Sequence, residues 1–376
     1  MKIVVAMDSF KGSVSSLEAG RAVLLGIRRV MPDAEVIVRP MADGGEGTVE
    51  ALTVGMRGHF EAVAVTGPLG EKVTATYGIL GDHQTAIMEI SSAAGIMLVD
   101  EKDRNPLHTT SYGVGELIRH AIKQGCRHFI IGLGGSATND GGIGMLTALG
   151  VSFLDEWGNP VEYGAQGLSQ IARIDTTQVM PELSECSFRV ACDVTNPLCG
   201  QQGATAVFSP QKGATPQMVA DMEKAMVRYA QLVKRFYPEA DAEYPGTGAA
   251  GGLGFAFHTF LPARLEPGVQ IVLDETGLEN YLPDADLVIT GEGRLDGQTV
   301  MGKAPIGVAK LAKKYKKKVI AFTGCITEDA AKCLDEGIDA YFCILPRPVP
   351  LSKAMQQENA KKNLTRTAEQ VIRLLL

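Results

Sequence analysis

Acidic residues set among glycines and hydroxyls, each directly after a short apolar run, are the feature of this chain that most suggests chemistry. The pattern occurs at Asp8-Ser9-Phe10-Lys11-Gly12-Ser13, at Met41-Ala42-Asp43-Gly44-Gly45-Glu46-Gly47-Thr48, at Cys192-Asp193-Val194-Thr195-Asn196-Pro197-Leu198 and at Gly291-Glu292-Gly293-Arg294-Leu295-Asp296-Gly297. A single such Asp is most often a helix cap or an Asx-turn residue. Recurrence at equivalent points of different units fits strand C-termini that face one crevice, where open α/β sheets meet their ligands. Phosphoryl transfer to a hydroxyl needs one acid to orient or deprotonate the nucleophile and others to hold Mg²⁺. Lys11 and Arg294 are the cations best placed to neutralise a phosphate or carboxylate, and the Arg fork matches a carboxylate in two bonds.

Gly132-Leu133-Gly134-Gly135-Ser136-Ala137-Thr138-Asn139-Asp140-Gly141-Gly142 is a second candidate for ligand binding. A bare tight turn explains the glycines but not so many hydroxyls and amides. Ser136 and Thr138 would donate to phosphate oxygens, and Asp140 would hold a metal. Gly297 to Lys303 matches a phosphate-binding loop as far as its lysine, but Ala304 replaces the hydroxyl that would bind Mg²⁺. Lys303 beside a helix N-terminus remains a candidate anion contact. The lysines at 313, 314, 316, 317 and 318 fall at a helix C-terminus, where the dipole favours cations.

Periodicity supplies the elements that position these loops. Apolar runs predict strands at 2–7 and 35–39, with a helix between them capped at Ser15 or Ser16 and carrying Glu18 in its first turn. From 287 the rhythm is regular: strands 287–290, 318–323 and 340–345 alternate with helices 305–316, 327–336 and 352–374, which implies a parallel sheet. The middle has another texture, with a hairpin over 62–80, strands at 85–90, 128–131 and 189–192, and a long helix at 216–236. The predicted fold class is therefore α/β in two domains. A doubly wound domain comes from residues 1–66 plus 285–376, and an inserted mixed α/β domain from 67–284. A division into contiguous N- and C-terminal halves is the alternative.

A chain of 376 residues is long for one hydrophobic core. A net charge of −7 argues against a nucleic-acid partner, and no apolar run approaches the roughly 20 residues of a membrane helix. The N-terminus lacks the apolar region and cleavage site of a secretory signal, so a cytoplasmic location is expected. Seven cysteines show neither paired nor metal-like spacing with the six histidines, as expected of free thiols in a reducing compartment.

The five blocks beginning at Asp8, Met41, Gly132, Cys192 and Gly291, in that order, resemble the signature blocks of bacterial glycerate kinases of the class distinct from the plant-type and MOFRL-domain enzymes. The resemblance implies ATP- and Mg²⁺-dependent phosphorylation of D-glycerate, generally to 2-phosphoglycerate, by a cytoplasmic enzyme. It also implies a discontinuous, flavodoxin-like first domain. On that basis Asp296 or Asp193 orients the attacking hydroxyl, and Lys11 or Arg294 holds the substrate carboxylate. Asp43, Glu292 and Asp140 are candidate metal ligands. Asp8, Ser9, Gly44, Gly45, Gly134, Gly135, Ser136, Thr138, Asn139 and Lys303 are expected to bind substrate or nucleotide. Formation of 3-phosphoglycerate is the alternative outcome, and a monomer or homodimer is expected. A hydroxy-acid oxidoreductase is the rival class, but the first strand leads to Asp8-Ser9-Phe10-Lys11 rather than to a dinucleotide-binding glycine fingerprint.

Overall fold

The computed structural model describes residues 1–261 and 263–375. In chain order the strands are β1 (Lys2–Met7), β2 (Glu35–Pro40), β3 (His59–Thr66), β4 (Lys72–Ile79), β5 (Thr85–Glu89), β6 (His128–Gly132), β7 (Ser152–Leu154), β8 (Arg173–Asp175), β9 (Ser187–Ala191), β10 (Arg264–Glu266), β11 (Leu287–Leu295), β12 (Lys318–Ile326) and β13 (Ala340–Cys343). They fall into two compact units, Met1–Arg57 with Pro267–Leu376, and Gly58–Glu266.

These boundaries differ from those read off the sequence, for two reasons of packing. β3 pairs antiparallel with β4 along its whole length, from His59↔Ile79 to Thr66↔Lys72, so it goes with the second unit. The helix Gly268–Glu275 belongs to the first unit, where a side chain at Gly268 would run into the backbone of Asp43 and Gly44.

The first unit is a five-stranded sheet in the order β13-β12-β11-β1-β2, with every pairing parallel. Counting only this unit's strands, the order is 2-1-3-4-5, the flavodoxin-like doubly wound arrangement. Its switch point lies between β1 and β11. Ile3 to Met7 of β1 are all 0% exposed, as a parallel strand covered on both faces requires. The helix Ser16–Val30 begins with a capping box in which the Ser15 and Glu18 side chains each bond the other's backbone N–H. It presses on the helix Gln357–Leu375 so closely that a side chain at Gly26 would strike the Thr365 carbonyl. Thr365 Oγ1 also donates to the Ala22 carbonyl at 2.9 Å.

Three predicted elements of this unit fold differently, the helix expected at 327–336 being a 3-10 turn, Glu328–Ala331, followed by one helical turn, Lys332–Asp335. β11 continues through Gly291–Leu295, where a glycine loop was expected, because its register with β12 extends from Gly291↔Phe322 to Leu295↔Ile326. Strand pairing here overrides the poor strand propensity of glycine. The last predicted helix is broken into Leu351–Ala354 and Gln357–Leu375.

The second unit holds a six-stranded sheet in the order β10-β9-β6-β5-β4-β3 and the small β7–β8 pair. β3 and β4 are antiparallel additions to a parallel core of β5, β6, β9 and β10. Tyr77, Phe129, Tyr229, Phe255 and Phe257 anchor its apolar interior. All seven cysteines are free, and no described helix is long and apolar enough to cross a membrane.

Candidate functional site

In the first unit the acid-bearing segments meet at the C-terminal ends of β1, β2 and β11. Ser16 ties two of them together: its Oγ donates to the Met7 carbonyl at 2.8 Å and accepts the Met41 N–H at 2.9 Å. Asp8 follows β1, and its N–H donates to the Gly291 carbonyl of β11 at 2.8 Å. Its side chain is 4% exposed and accepts the Ser9 N–H at 2.6 Å. Burial and the charges of Asp43 and Glu292 push its pKa up to about 7, against the opposing pull of the Ser9 N–H and Lys11. Asp43 closes an Asx-turn by accepting the Gly45 N–H at 3.1 Å, with its other oxygen 3.8 Å from Lys11 Nζ.

Glu292, on the extended part of β11, is 7% exposed. It accepts the Thr299 hydroxyl at 2.7 Å and lies 3.7 Å from Lys303 Nζ. Burial raises its pKa, while Thr299 and Lys303 act the other way. Asp296 accepts the Gln298 and Thr299 N–H groups at 2.9 and 3.2 Å. It also stands 3.3 Å from Arg294 Nε and 3.7 Å from Lys303 Nζ. Arg294, 64% exposed, faces a cavity of about 470 Å³ that Asp296, Gln298 and Lys332 also line.

Asp8, Asp43, Glu292 and Asp296 therefore share one end of one sheet with Lys11, Arg294 and Lys303. Such a site can hold a small anion by its cations and orient a hydroxyl by its acids. Among the described residues no three Asp, Glu, His or Cys side chains could enclose a metal by themselves. Mg²⁺ at nucleotide sites commonly takes only one or two carboxylates, its other ligands being phosphates and water. Asp43 and Glu292 suit that use, since each keeps an oxygen whose nearest partner is a lysine beyond 3.5 Å.

In the second unit the loop after β6 is flanked by β5 and β9, whose ends Glu89 and Ala191 are in register with Gly132. Glu89, this loop and the exposed Asp193 thus leave neighbouring parallel strands at the same end. Gly134 and Gly135 at the tip are exposed, while Ser136 to Asp140 are buried. Asp140 is 0% exposed and accepts the Ser111 N–H at 2.9 Å, the Ser111 hydroxyl at 2.8 Å and the Gly142 N–H at 3.1 Å. Its oxygens are turned to the fold's own donors, so it anchors the loop rather than offering lone pairs to a cation. Asn139 Nδ2 donates to Thr205 Oγ1 at 3.0 Å, while Thr138 Oγ1 and Asn139 Oδ1 are buried without a partner among the described residues.

Sequence reasoning passed over Thr299 and Lys212. Thr299 was visible as the hydroxyl three residues after Asp296. Lys212 Nζ donates to Ser136 Oγ at 2.8 Å and to the Thr138 carbonyl at 2.6 Å, although it lies more than seventy positions away in the chain. Nothing local marks it beyond a lysine beside a glycine.

The profile of the Glycerate kinase family matches residues 3–376. A protein of Haemophilus influenzae named glycerate kinase is 48% identical over 100% of this chain and 99% of its own length. One of Escherichia coli K12 named glycerate 2-kinase is 46% identical, covering 99% of this chain and 97% of its own. The crystal structure of a candidate glycerate kinase 2 from Salmonella typhimurium LT2 matches with a TM-score of 0.92 at 48% identity, over 100% of this chain and 98% of that one.

Proposed function

This chain belongs to the glycerate kinase family, and we propose that it transfers the γ-phosphoryl group of ATP to D-glycerate, giving 2-phosphoglycerate. The observation that carries this reading is the meeting of Asp8, Asp43, Glu292 and Asp296 with Lys11, Arg294 and Lys303 at the switch point of a doubly wound sheet. The name of the 46% identical Escherichia coli relative favours the 2-phosphate over the 3-phosphate.

In this reading Arg294 and Lys11 receive the substrate carboxylate. Asp43 and Glu292 are the residues that would hold Mg²⁺, which when bound neutralises charge on the phosphate oxygens. Lys303 keeps Glu292 and Asp296 together, and Thr299 fixes their rotamers. Ser9, Gly44 and Gly45 line the substrate side, while Gly134, Gly135 and Ser136 cradle nucleotide phosphates and the buried Thr138 and Asn139 support that loop from within. Asp296 and Asp193 are candidates to orient the attacking hydroxyl. Asp8 joins them because its surroundings favour proton uptake near neutrality.

Phosphorus NMR of a reaction with ATP, Mg²⁺ and D-glycerate tests the function. A 2-phosphoglycerate resonance with matching ADP supports it, and no glycerate-dependent ADP overturns it. The Asn variants of Asp296, Asp193 and Asp8 then compete. The proton acceptor is the one whose loss lowers kcat by on the order of 10²-fold or more, and near-normal kcat in all three would remove carboxylate base catalysis.

A further inference from the structure

Lys212 is 2% exposed and ends the short turn Pro210–Lys212. Among the described residues it makes no ion pair, and its amine serves the loop after β6 alone, through Ser136 Oγ and the Thr138 carbonyl. Burying an amine this deeply is costly without a compensating charge. The buried Asp140 offsets that cost only in part and is already held by Ser111 and Gly142, so a lysine here has room for a second negative partner.

The loop offers a place for one. Gly135 has φ +70°, and among the described residues no acceptor takes the N–H of Gly134, Gly135 or Ser136. Successive N–H groups around a left-handed residue form an anion-binding concavity. A Cβ on Gly134 would meet nothing within 4 Å, so the space beside it is open. Because Ser136 Oγ accepts from Lys212, its own O–H is left to donate outward. Thr138 Oγ1, buried and unpartnered among the described residues, lies on the same loop.

We propose that Lys212 is the positioning cation of an anion site made by the N–H groups of residues 134–136 and the Ser136 hydroxyl, and that this site takes a phosphoryl group of the nucleotide. The proposal rests on the reading that this loop receives nucleotide phosphate. Lys212 acts through Ser136 rather than by touching the reacting atoms. Burial draws its pKa down to about 7, with Asp140 the charged neighbour opposing the shift. The Arg104 backbone lies against the adjoining Gly213. An arriving phosphate favours the ammonium form, so nucleotide binding carries proton uptake.

Calorimetric titration of the intact protein with ADP at pH 8, in buffers of different ionisation enthalpy, reads that proton directly. ADP phosphates are already ionised there and Lys212 is mostly neutral, so the expected uptake approaches one proton. Lys212→Met removes that uptake and raises the KM for ATP roughly 10-fold or more, the scale of a charge-assisted bond, with the KM for glycerate little changed. Ser136→Ala separates the two layers of the inference. If Ser136→Ala raises the KM for ATP but Lys212→Met does not, the lysine assignment falls alone. If neither changes it, the loop does not hold nucleotide phosphate and both fall. Wild-type binding without proton uptake overturns the proposal even if Lys212→Met does not fold.

Discussion

Replacing Asp8 by Asn tests the electrostatics of the first-unit site without any assumption about substrate. The folded-state pKa of Asp8 is raised from 3.8 to about 7, so the native protein binds a proton that the unfolded chain has released. Stability then falls as pH rises from about 4 to about 7 and levels off above that. At 1.36 kcal/mol per pK unit the full penalty is about 4 kcal/mol, of which about 3 kcal/mol accrues between pH 5 and pH 8. Asparagine keeps an oxygen for the Ser9 N–H and does not titrate, so Asp8→Asn should become more stable relative to wild type as pH rises. At roughly 2–4 °C per kcal/mol for a unit of this size, the gap in Tm should widen by on the order of 5–10 °C from pH 5 to pH 8 in EDTA. Differential scanning calorimetry measures it directly. A Tm gap that stays constant over this range, or closes, would refute the buried-carboxylate account. Adding Mg²⁺ at pH 8 should raise the wild-type Tm more than that of Asp8→Asn, since a cation relieves the repulsion with Asp43 and Glu292 that the variant already lacks.

Thr299→Val removes a hydroxyl bond to Glu292 and should move the acidic limb of the kcat/KM profile for MgATP to higher pH; an unmoved limb would separate Glu292 from metal-nucleotide binding. Ser15→Ala breaks the capping box of the helix Ser16–Val30 and should cost about 1 kcal/mol in urea unfolding. Gly26→Ala forces a methyl group into the Thr365 carbonyl and should destabilise the first unit by about 1–3 kcal/mol. Unchanged denaturation midpoints would show that the helices Ser16–Val30 and Gln357–Leu375 are less closely packed than described.

Sequence reasoning reaches furthest where the governing interactions are local. Ser15, Glu18 and the apolar stripe after them specify a helix start within one turn. Pro216 at the first turn and Thr215 before it do the same for the helix Pro216–Phe236. The acid-bearing blocks were legible for a similar reason, since each carries its acid and its turn-forming glycines within a few residues. The resemblance of those blocks to a family was legible too, and the whole-chain matches agree with it.

The chain's own residues thus determined that it would alternate strands and helices at its ends, and that acids would emerge where strands stop. Folding decided what those acids meet. The register of β11 with β12 carries Glu292 and Arg294 on a strand instead of a loop, and the fit of Gly268 against Asp43 moves a domain boundary. Asp140, expected to face a cation, turns inward to Ser111. Lys212, silent in the sequence, becomes the buried partner of Ser136. Each outcome depends on contacts between residues tens to hundreds of positions apart. Whether a charge faces solvent, a carboxylate or an amide is set by those contacts, and no local spacing encodes them.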